Sequence, residues 1–321
     1  MNAKCYRTVY NAVRNMLIAV EECASSTGKG RNAGSRAGGA VAVAAASVAR
    51  FTVLPVVFGA WCALGLPSAL HAQVVAAPGS AAQVVQTQNG LQQVNVGRPN
   101  GAGVSLNTYT QFNVPTAGTI LNNAPTITQT QQAGYINGNP NLLPGGSARI
   151  IVNQVTSTNV STLNGYLEVA GPRTEVVISN PNGILVNGGG FINTSRATLT
   201  TGLPVFGGSG SLDAYRVTGG QISIQGAGLN AANVDQVDLI ARAVQANAAV
   251  YANTLNVIAG AAQVDRNTLA ATPIAGDGAA PALGIDVSQL GGMYANKILL
   301  ASTENGVGVS LKGVTAAQAG D

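Results

Sequence analysis

Three short strings, Ile222-Ser223-Ile224, Val237-Asp238-Leu239-Ile240 and Leu255-Asn256-Val257-Ile258, stand in a stretch otherwise rich in Asn, Gly and Ala. Each is too short for a helix, and each alternates or runs apolar as a strand buried on one or both faces does. Taking Ile222, Leu239 and Val257 as equivalent gives steps of 17 and 18 residues, close to the lower end of the periods that mark a solenoid. Ile285-Asp286-Val287 and Ile298-Leu299-Leu300 keep the character with looser spacing. In a parallel β-helix such strings stack coil on coil at about 4.8 Å, with backbone bonds along the axis and Val, Ile and Leu inside. A β-sandwich would be built from similar strands, so the strings alone leave both architectures open.

Upstream the pattern persists. Arg149-Ile150-Ile151-Val152, Glu175-Val176-Val177-Ile178, Gly183-Ile184-Leu185-Val186 and Ala197-Thr198-Leu199-Thr200 recur between Gly, Asn and Pro punctuation. No helix of ordinary length with a clean apolar stripe is evident after residue 73, so this part reads as all-β. Asn and Gly suit its corners because both tolerate left-handed backbone angles.

Only 9% of the 321 residues are charged, against roughly 25% in an ordinary globular domain. The net charge of +4 divides unevenly. Residues 1–72 carry +5, and the remaining 249 carry −1. The body therefore has no basic stripe of the kind that tracks phosphates, and no nucleic-acid partner is expected. Cys5, Cys23, Cys62, the lone His71 and the lone Trp61 all precede residue 73. Without that leader the chain has no thiol nucleophile, Ser-His-Asp triad, His/Cys zinc site or disulfide, so no enzyme activity and no cofactor are expected.

The leader itself is built for export. Val53 to Leu66 form an apolar core of signal-peptide length behind Arg50, shorter than the ~18 residues of a spanning helix. Pro67 and Ser68 end it, and the expected cleavage falls between Ala72 and Gln73, with Leu70 where a small residue is preferred. An uncleaved anchor is the alternative. Residues 2–29, from Asn2-Ala3-Lys4-Cys5-Tyr6-Arg7 through Ile18-Ala19-Val20-Glu21, resemble the extended signal-peptide region of large exported autotransporters and two-partner exoproteins. They depart from it at Tyr10, where Trp is usual, and Glu21, where Ser is usual; a misassigned start codon is the bland alternative.

Two motifs carry the most specific signal: Asn139-Pro140-Asn141-Leu142 and, 41 residues later, Asn180-Pro181-Asn182-Gly183-Ile184. Physically each reads as a tight turn, with Pro setting φ and Asn or Gly accepting positive φ. Between and around them stand Gly103-Val104-Ser105-Leu106-Asn107, Gln111-Phe112-Asn113-Val114, Gly118-Thr119-Ile120-Leu121-Asn122-Asn123, Gly165-Tyr166-Leu167-Glu168-Val169, Gly190-Phe191-Ile192-Asn193-Thr194 and Thr198-Leu199-Thr200-Thr201-Gly202. In this order the blocks resemble the two-partner-secretion (TPS) domain of filamentous haemagglutinin-like and contact-dependent-inhibition toxin-like exoproteins, closely over residues 85–205. Many relatives carry Cys-x-x-Cys after the second motif; Val186 and Gly189 stand there in this chain, which removes any disulfide role.

The resemblance implies a right-handed parallel β-helix, a single-stranded solenoid with an N-terminal cap of irregular and antiparallel strands from residues 73–140. It implies an extended signal peptide over 1–72, the TPS domain over 73–215, and further coils over 216–321 that stop as repeats begin. The implied partner is an Omp85-class outer-membrane transporter of the TpsB type, reading the chain in the periplasm through its POTRA domains. A host-cell or bacterial surface is a further partner. The site residues it implies are Asn139, Pro140, Asn141, Leu142, Asn180, Pro181, Asn182, Gly183 and Ile184, in folding and in transporter recognition. A stand-alone adhesin or carbohydrate-binding module and a polysaccharide lyase are the alternatives.

Other constellations are weak. Gly188-Gly189-Gly190 lacks the Lys-Ser/Thr pair of a phosphate loop and reads as a corner. Asp235 and Asp238 read as solvated edge charges, with the carboxylates of a β-helical polysaccharide lyase or hydrolase as the alternative. Tyr109, Phe112, Tyr135, Tyr166 and Phe191 are expected to cap or fill the core, with sugar stacking as the alternative.

Overall fold

A computed structural model describes residues 6–11, 16–21 and 74–318. The cleavage point expected at Ala72 and Gln73, and the apolar run 53–66, lie outside these residues. Strands β1 (Tyr6–Asn11) and β2 (Met16–Glu21) form an antiparallel hairpin with Asn11 opposite Met16. They belong to a unit separate from residues 67–321.

The larger unit begins with β3 (Val74–Ala76), β4 (Gln83–Gln86) and β5 (Gln92–Asn95). A first coil follows, β6 (Val104–Phe112) and β7 (Thr119–Asn122), then a hairpin, β8 (Thr128–Thr130) and β9 (Gly134–Ile136). The second coil is β10 (Ile150–Val155), β11 (Ser161–Leu163) and β12 (Tyr166–Ala170); the third is β13 (Thr174–Ser179), β14 (Ile184–Val186) and β15 (Gly189–Ile192). The fourth opens with β16 (Thr194–Thr200), departs into the hairpin β17 (Leu203–Phe206) and β18 (Leu212–Val217), and resumes at β19 (Gln221–Ile224). Strand β20 (Leu229–Ala241) bends between coils four and five, β21 (Ala243–Ala246) follows, and β22 (Ala249–Ala259) bends again into coil six. A second excursion, β23 (Ala262–Asp265) and β24 (Ala271–Pro273), precedes β25 (Leu283–Val287) and β26 (Gly292–Ala295). The last coil is β27 (Lys297–Ser302), β28 (Gly308–Leu311) and β29 (Val314–Ala317).

Successive coils pair in parallel on three faces. The first runs β6-β10-β13-β16-β20-β22-β27, the second β11-β14-β19-β21-β25-β28, and the third β5-β7-β12-β15-β20-β22-β26-β29. This is the parallel β-helix expected from the sequence. Alternate residues point inward, so the aligned columns Ile151-Val176-Ala197-Val237-Leu255 and Ile178-Leu199-Leu239-Val257 fill the interior.

The expected repeat was misaligned. Leu239 does pair with Val257, 18 residues on, but Ile222 pairs with Val244 on the second face. One coil presents three apolar strings, one per face, and strings of different faces look alike in sequence.

The first face buries apolar side chains outside as well as inside, because the two excursions return over it. They leave the same corner and join as an antiparallel sheet, β17-β18-β23-β24, with Val217 opposite Ala262. Leu212, Tyr215, Val217 and Val264 pack on the outward Val152, Val177, Ile240 and Ile258, forming a second core. At about 1.5–3 kcal/mol per fully buried aliphatic side chain, this layer contributes to stability as the solenoid interior does. The sequence boundary between residues 215 and 216 falls inside β18, whose partner β23 lies beyond it.

The N-terminal cap is antiparallel where expected, in the pairs β3 with β6, β4 with β5 and β8 with β9. It is interwoven with coil one, since β6 and β7 within residues 73–140 already pair in parallel with β10 and β12. At this end the interior turns polar. Ser105 Oγ donates to the Gly97 carbonyl (2.6 Å), and Asn107 Oδ1 accepts from the Gly97 N–H (2.8 Å). The buried Tyr109 hydroxyl donates to Asn153 Oδ1 at 3.0 Å, with Phe112 edge-on to its ring. Tyr109, Phe112 and Phe191 thus fill the core as expected, whereas Tyr135 and Tyr166 are exposed.

Candidate functional site

The two Asn-Pro-Asn motifs fold into the same device. In the second, the Asn180 Oδ1 accepts the N–H of Asn182 (3.0 Å) and the Asn180 carbonyl accepts the N–H of Gly183 (3.1 Å). In the first, Asn139 Oδ1 accepts the N–H of Asn141 (2.9 Å) and its carbonyl the N–H of Leu142 (3.2 Å). These are Asx turns, in which a side-chain carbonyl mimics a backbone one and the following Pro fixes φ. Gly183 adopts φ +120°, a conformation closed to most side chains.

Each leading asparagine then reaches to a neighbouring layer. Asn180 Nδ2 donates to the Asn159 carbonyl (2.8 Å) and Ser161 Oγ (2.9 Å) in coil two, while its backbone N–H reaches Thr200 in coil four at 2.9 Å. Asn139 Nδ2 donates to the carbonyls of Val96 (2.9 Å) and Asn122 (2.8 Å), tying the chain entering coil two to the cap and to coil one. The trailing asparagines repeat the pattern: Asn182 Nδ2 reaches the Ser157 carbonyl (2.6 Å) and Asn141 Nδ2 the Val96 carbonyl (3.2 Å). Asn139 and Asn180 are buried, and their amides donate to backbone carbonyls at the corners. Leu142, Gly183 and Ile184 are buried too, Pro181 and Asn141 are half-buried, and Pro140 and Asn182 face solvent.

The motifs do not converge on one pocket. The second sits at the corner between the first and second faces, and the first closes the cap. Pro140 borders a cleft against the outer strand β4, lined also by Val85, Gln86, Gln93, Tyr135 and Ile136. Strand β4 is the end of its sheet, bonded only to β5 among the described residues.

Two supporting residues carried no local signal. Glu168, buried on the third face, accepts the backbone N–H groups of Gln131 (2.6 Å) and Gln132 (2.9 Å), holding the β8–β9 hairpin against the solenoid. Asn123 accepts from Ala148 N (2.8 Å) and donates to the Ala148 carbonyl (2.9 Å), pinning the two ends of that excursion.

The pair Asp235 and Asp238 needs correcting. Asp235 is exposed and pairs with Arg173, but Asp238 is fully buried beneath the outer antiparallel sheet. It accepts from Arg196 Nε (2.6 Å), Asn256 Nδ2 (2.8 Å), Gln236 Nε2 (2.9 Å) and Thr198 Oγ1 (3.2 Å). Arg196 bonds onward to the Arg266 carbonyl (2.7 Å), and the Arg266 guanidinium pairs with Glu175. Burial pushes the neighbouring Tyr215 phenol up to about 12, so it stays neutral. Two carboxylates face two guanidinium groups here, so the cluster is charge-compensated and joins the solenoid to the outer sheet.

Sequence and fold comparisons agree with this architecture. Residues 72–321 match the TPS secretion domain, and residues 1–51 the Extended Signal Peptide of Type V secretion system. The chain belongs to the TPS secretion domain family. The TPS chain is 55% identical along its full length to the tRNA nuclease CdiA-2 of Burkholderia pseudomallei and 44% identical to the toxin CdiA of Yersinia pestis. It spans about a tenth of the length of these relatives. Its fold matches the crystal structure of the filamentous hemagglutinin secretion domain with a TM-score of 0.70 and 37% identity, covering 76% of this chain and 83% of that one. An extended signal peptide ahead of a TPS domain makes this an exported protein of a Gram-negative bacterium, secreted or held at the cell surface. What the chain covers is a secretion domain and not a catalytic one.

Proposed function

We propose that this chain is the export module of a longer two-partner exoprotein, read in the periplasm by the POTRA domains of an Omp85-class outer-membrane transporter and folded outside the cell. The observation that carries the reading is the capped β-helix itself, whose fold is that of a secretion domain over three-quarters of the chain. The POTRA domains take the emerging chain in extended form by strand addition, which uses backbone bonds and tolerates varied side chains. Folding then starts at the cap. Asn139 and Asn180 stitch each new layer to the one before, so coil formation biases the chain outward without nucleotide. Delivery of an effector to another cell is the use this module serves, in line with the toxin and nuclease names of its relatives.

In this reading Asn139, Asn180, Leu142, Gly183 and Ile184, all buried once the chain has folded, act through folding. The test is secretion from a Gram-negative host with and without the Omp85-class gene nearest to the reading frame. Transporter-dependent release, lost in Asn139→Ala and Asn180→Ala with inner-membrane export intact, is expected. Normal release of both variants, or release without the transporter, would sink the assignment.

A further inference from the structure

On the outward side of the third face, one column of the solenoid carries tyrosines. Register aligns Tyr166, Gly190, Asn230, Tyr251, Tyr294 and Ala316 on successive coils. Tyr251 and Tyr294 stack with ring centroids 5.2 Å apart and planes 20° from parallel, and Tyr251 is 46% exposed. The Tyr294 ring lies down along its strand over Gly292, where a Cβ would stand 2.6 Å from the ring. From the following coil only the methyl of Ala316 stands opposite Tyr294.

Beside the tyrosines runs a row of amides at the corner between the third and first faces. Asn296 Nδ2 donates to Asn253 Oδ1 at 2.6 Å, and the backbone N–H of Asn296 reaches the Asn253 carbonyl at 2.8 Å. That bond leaves the Asn253 amide N–H groups and the Asn296 amide oxygen free on two residues that line the groove. Tyr251, Tyr294, Asn253, Asn296 and Gln318 line this groove, and the rest of its lining is alanine. None of these side chains is charged.

From this geometry we infer that the groove is a binding site for a neutral oligosaccharide of pyranose rings, its chain running along the solenoid axis. A sugar ring presents C–H groups to an aromatic face and hydroxyls, each donor and acceptor, at its edge. The groove offers the complement: aromatic surface on one wall, and a free amide donor and acceptor on coils about 4.8 Å apart on the other. The absence of charge disfavours anionic ligands, which need a compensating cation when desolvated. The stack is held in place before ligand arrives, so little side-chain entropy is lost on binding.

The test is calorimetric titration of secreted mature protein with cellohexaose, maltohexaose and chitohexaose, and with a heparin hexasaccharide as the anionic probe. Saturable binding of at least one neutral hexasaccharide is expected, weakened roughly tenfold or more by Tyr294→Ala and measurably by Asn253→Ala. Tyr135→Ala, an exposed tyrosine on the cap hairpin, serves as control and leaves affinity unchanged; circular dichroism checks that every variant is folded. No binding of any neutral sugar, tighter binding of heparin than of all three, or equal loss in Tyr135→Ala and Tyr294→Ala would overturn the inference.

Discussion

Replacing Asn180 with Ala separates a stitched corner from an ordinary turn. The side chain is fully buried and makes four bonds that Ala cannot: Oδ1 from Asn182 N and from Asn182 Nδ2, and Nδ2 to the Asn159 carbonyl and to Ser161 Oγ. At about 1 kcal/mol net for each neutral hydrogen bond, with the one from the exposed Asn182 side chain replaced by water, the loss is ~3 kcal/mol. Water reaching the exposed Asn159 and Asn182 would reduce it toward ~2, and a stranded Ser161 hydroxyl, itself buried, would raise it toward ~4 kcal/mol. With a urea m-value of about 2–3 kcal/mol/M, the midpoint should fall by roughly 1–1.5 M. Urea unfolding of the purified mature chain refolded from denaturant, followed by far-ultraviolet circular dichroism, reads this directly. Asn182→Ala loses an exposed bond to the Ser157 carbonyl and a part-buried one to Asn180 Oδ1, which keeps the Asn182 N–H, and should move the midpoint by less than about 0.4 M, under about 1 kcal/mol. If Asn180→Ala shifts no further than Asn182→Ala, the buried asparagine is not joining coils, and the turn alone explains the motif.

Four further outcomes follow from named contacts. Asp238→Ala removes the fully buried partner of the half-buried Arg196 and should cost about 3 kcal/mol, whereas Asp235→Ala breaks an exposed pair and should cost at most ~1 kcal/mol; urea midpoints compare them. Glu168→Gln replaces a buried acceptor of two N–H groups with an amide that offers one carbonyl, so hydrogen exchange at Gln131 and Gln132 should accelerate while β10 to β16 stay protected. The Glu304 carboxyl is held below its usual range, first by its bond from Arg242, which ties coil seven to the corner after β20. A lowered folded value means this stability is fully present above the ordinary value near 4.5 and is lost as pH falls through the folded one. Glu304→Gln should therefore flatten the acid limb of a stability-versus-pH curve; an unchanged limb would count against it. Gly220 has φ +76° and its Cβ would stand 2.5 Å from the Pro181 carbonyl oxygen, so Gly220→Ala should destabilise by at least ~1 kcal/mol in the same urea assay.

How much could be read from the residues alone differed by range. The Asx turns were legible because Asn, Pro and Gly act over three or four positions. The apolar strings identified strands for the same reason, and the signature blocks placed the chain in its family. Nothing local could align Ile222 with Val244 rather than with Leu239. A strand string is nearly the same on every face, and only closure of a whole coil assigns it to one. Tyr135 and Tyr166 were expected in the core because aromatics usually go there, yet their faces look outward.

The sequence by itself therefore determined the elements: short strands, turn-forming corners, a basic leader and a body stripped of Cys, His and Trp. Only the tertiary structure decided which coils touch. The excursions 203–217 and 262–273 meet across two coils to form an outer sheet, and that meeting turns Asp238 from an edge charge into a buried partner of Arg196. Parallel pairing of β22 with β26 likewise sets Tyr251 against Tyr294, 43 residues on. Strand propensity and turn chemistry are local and survive in any fold. Burial and stacking depend on where distant segments are delivered, and in a solenoid with excursions of unequal length that depends on the closure of every coil before them.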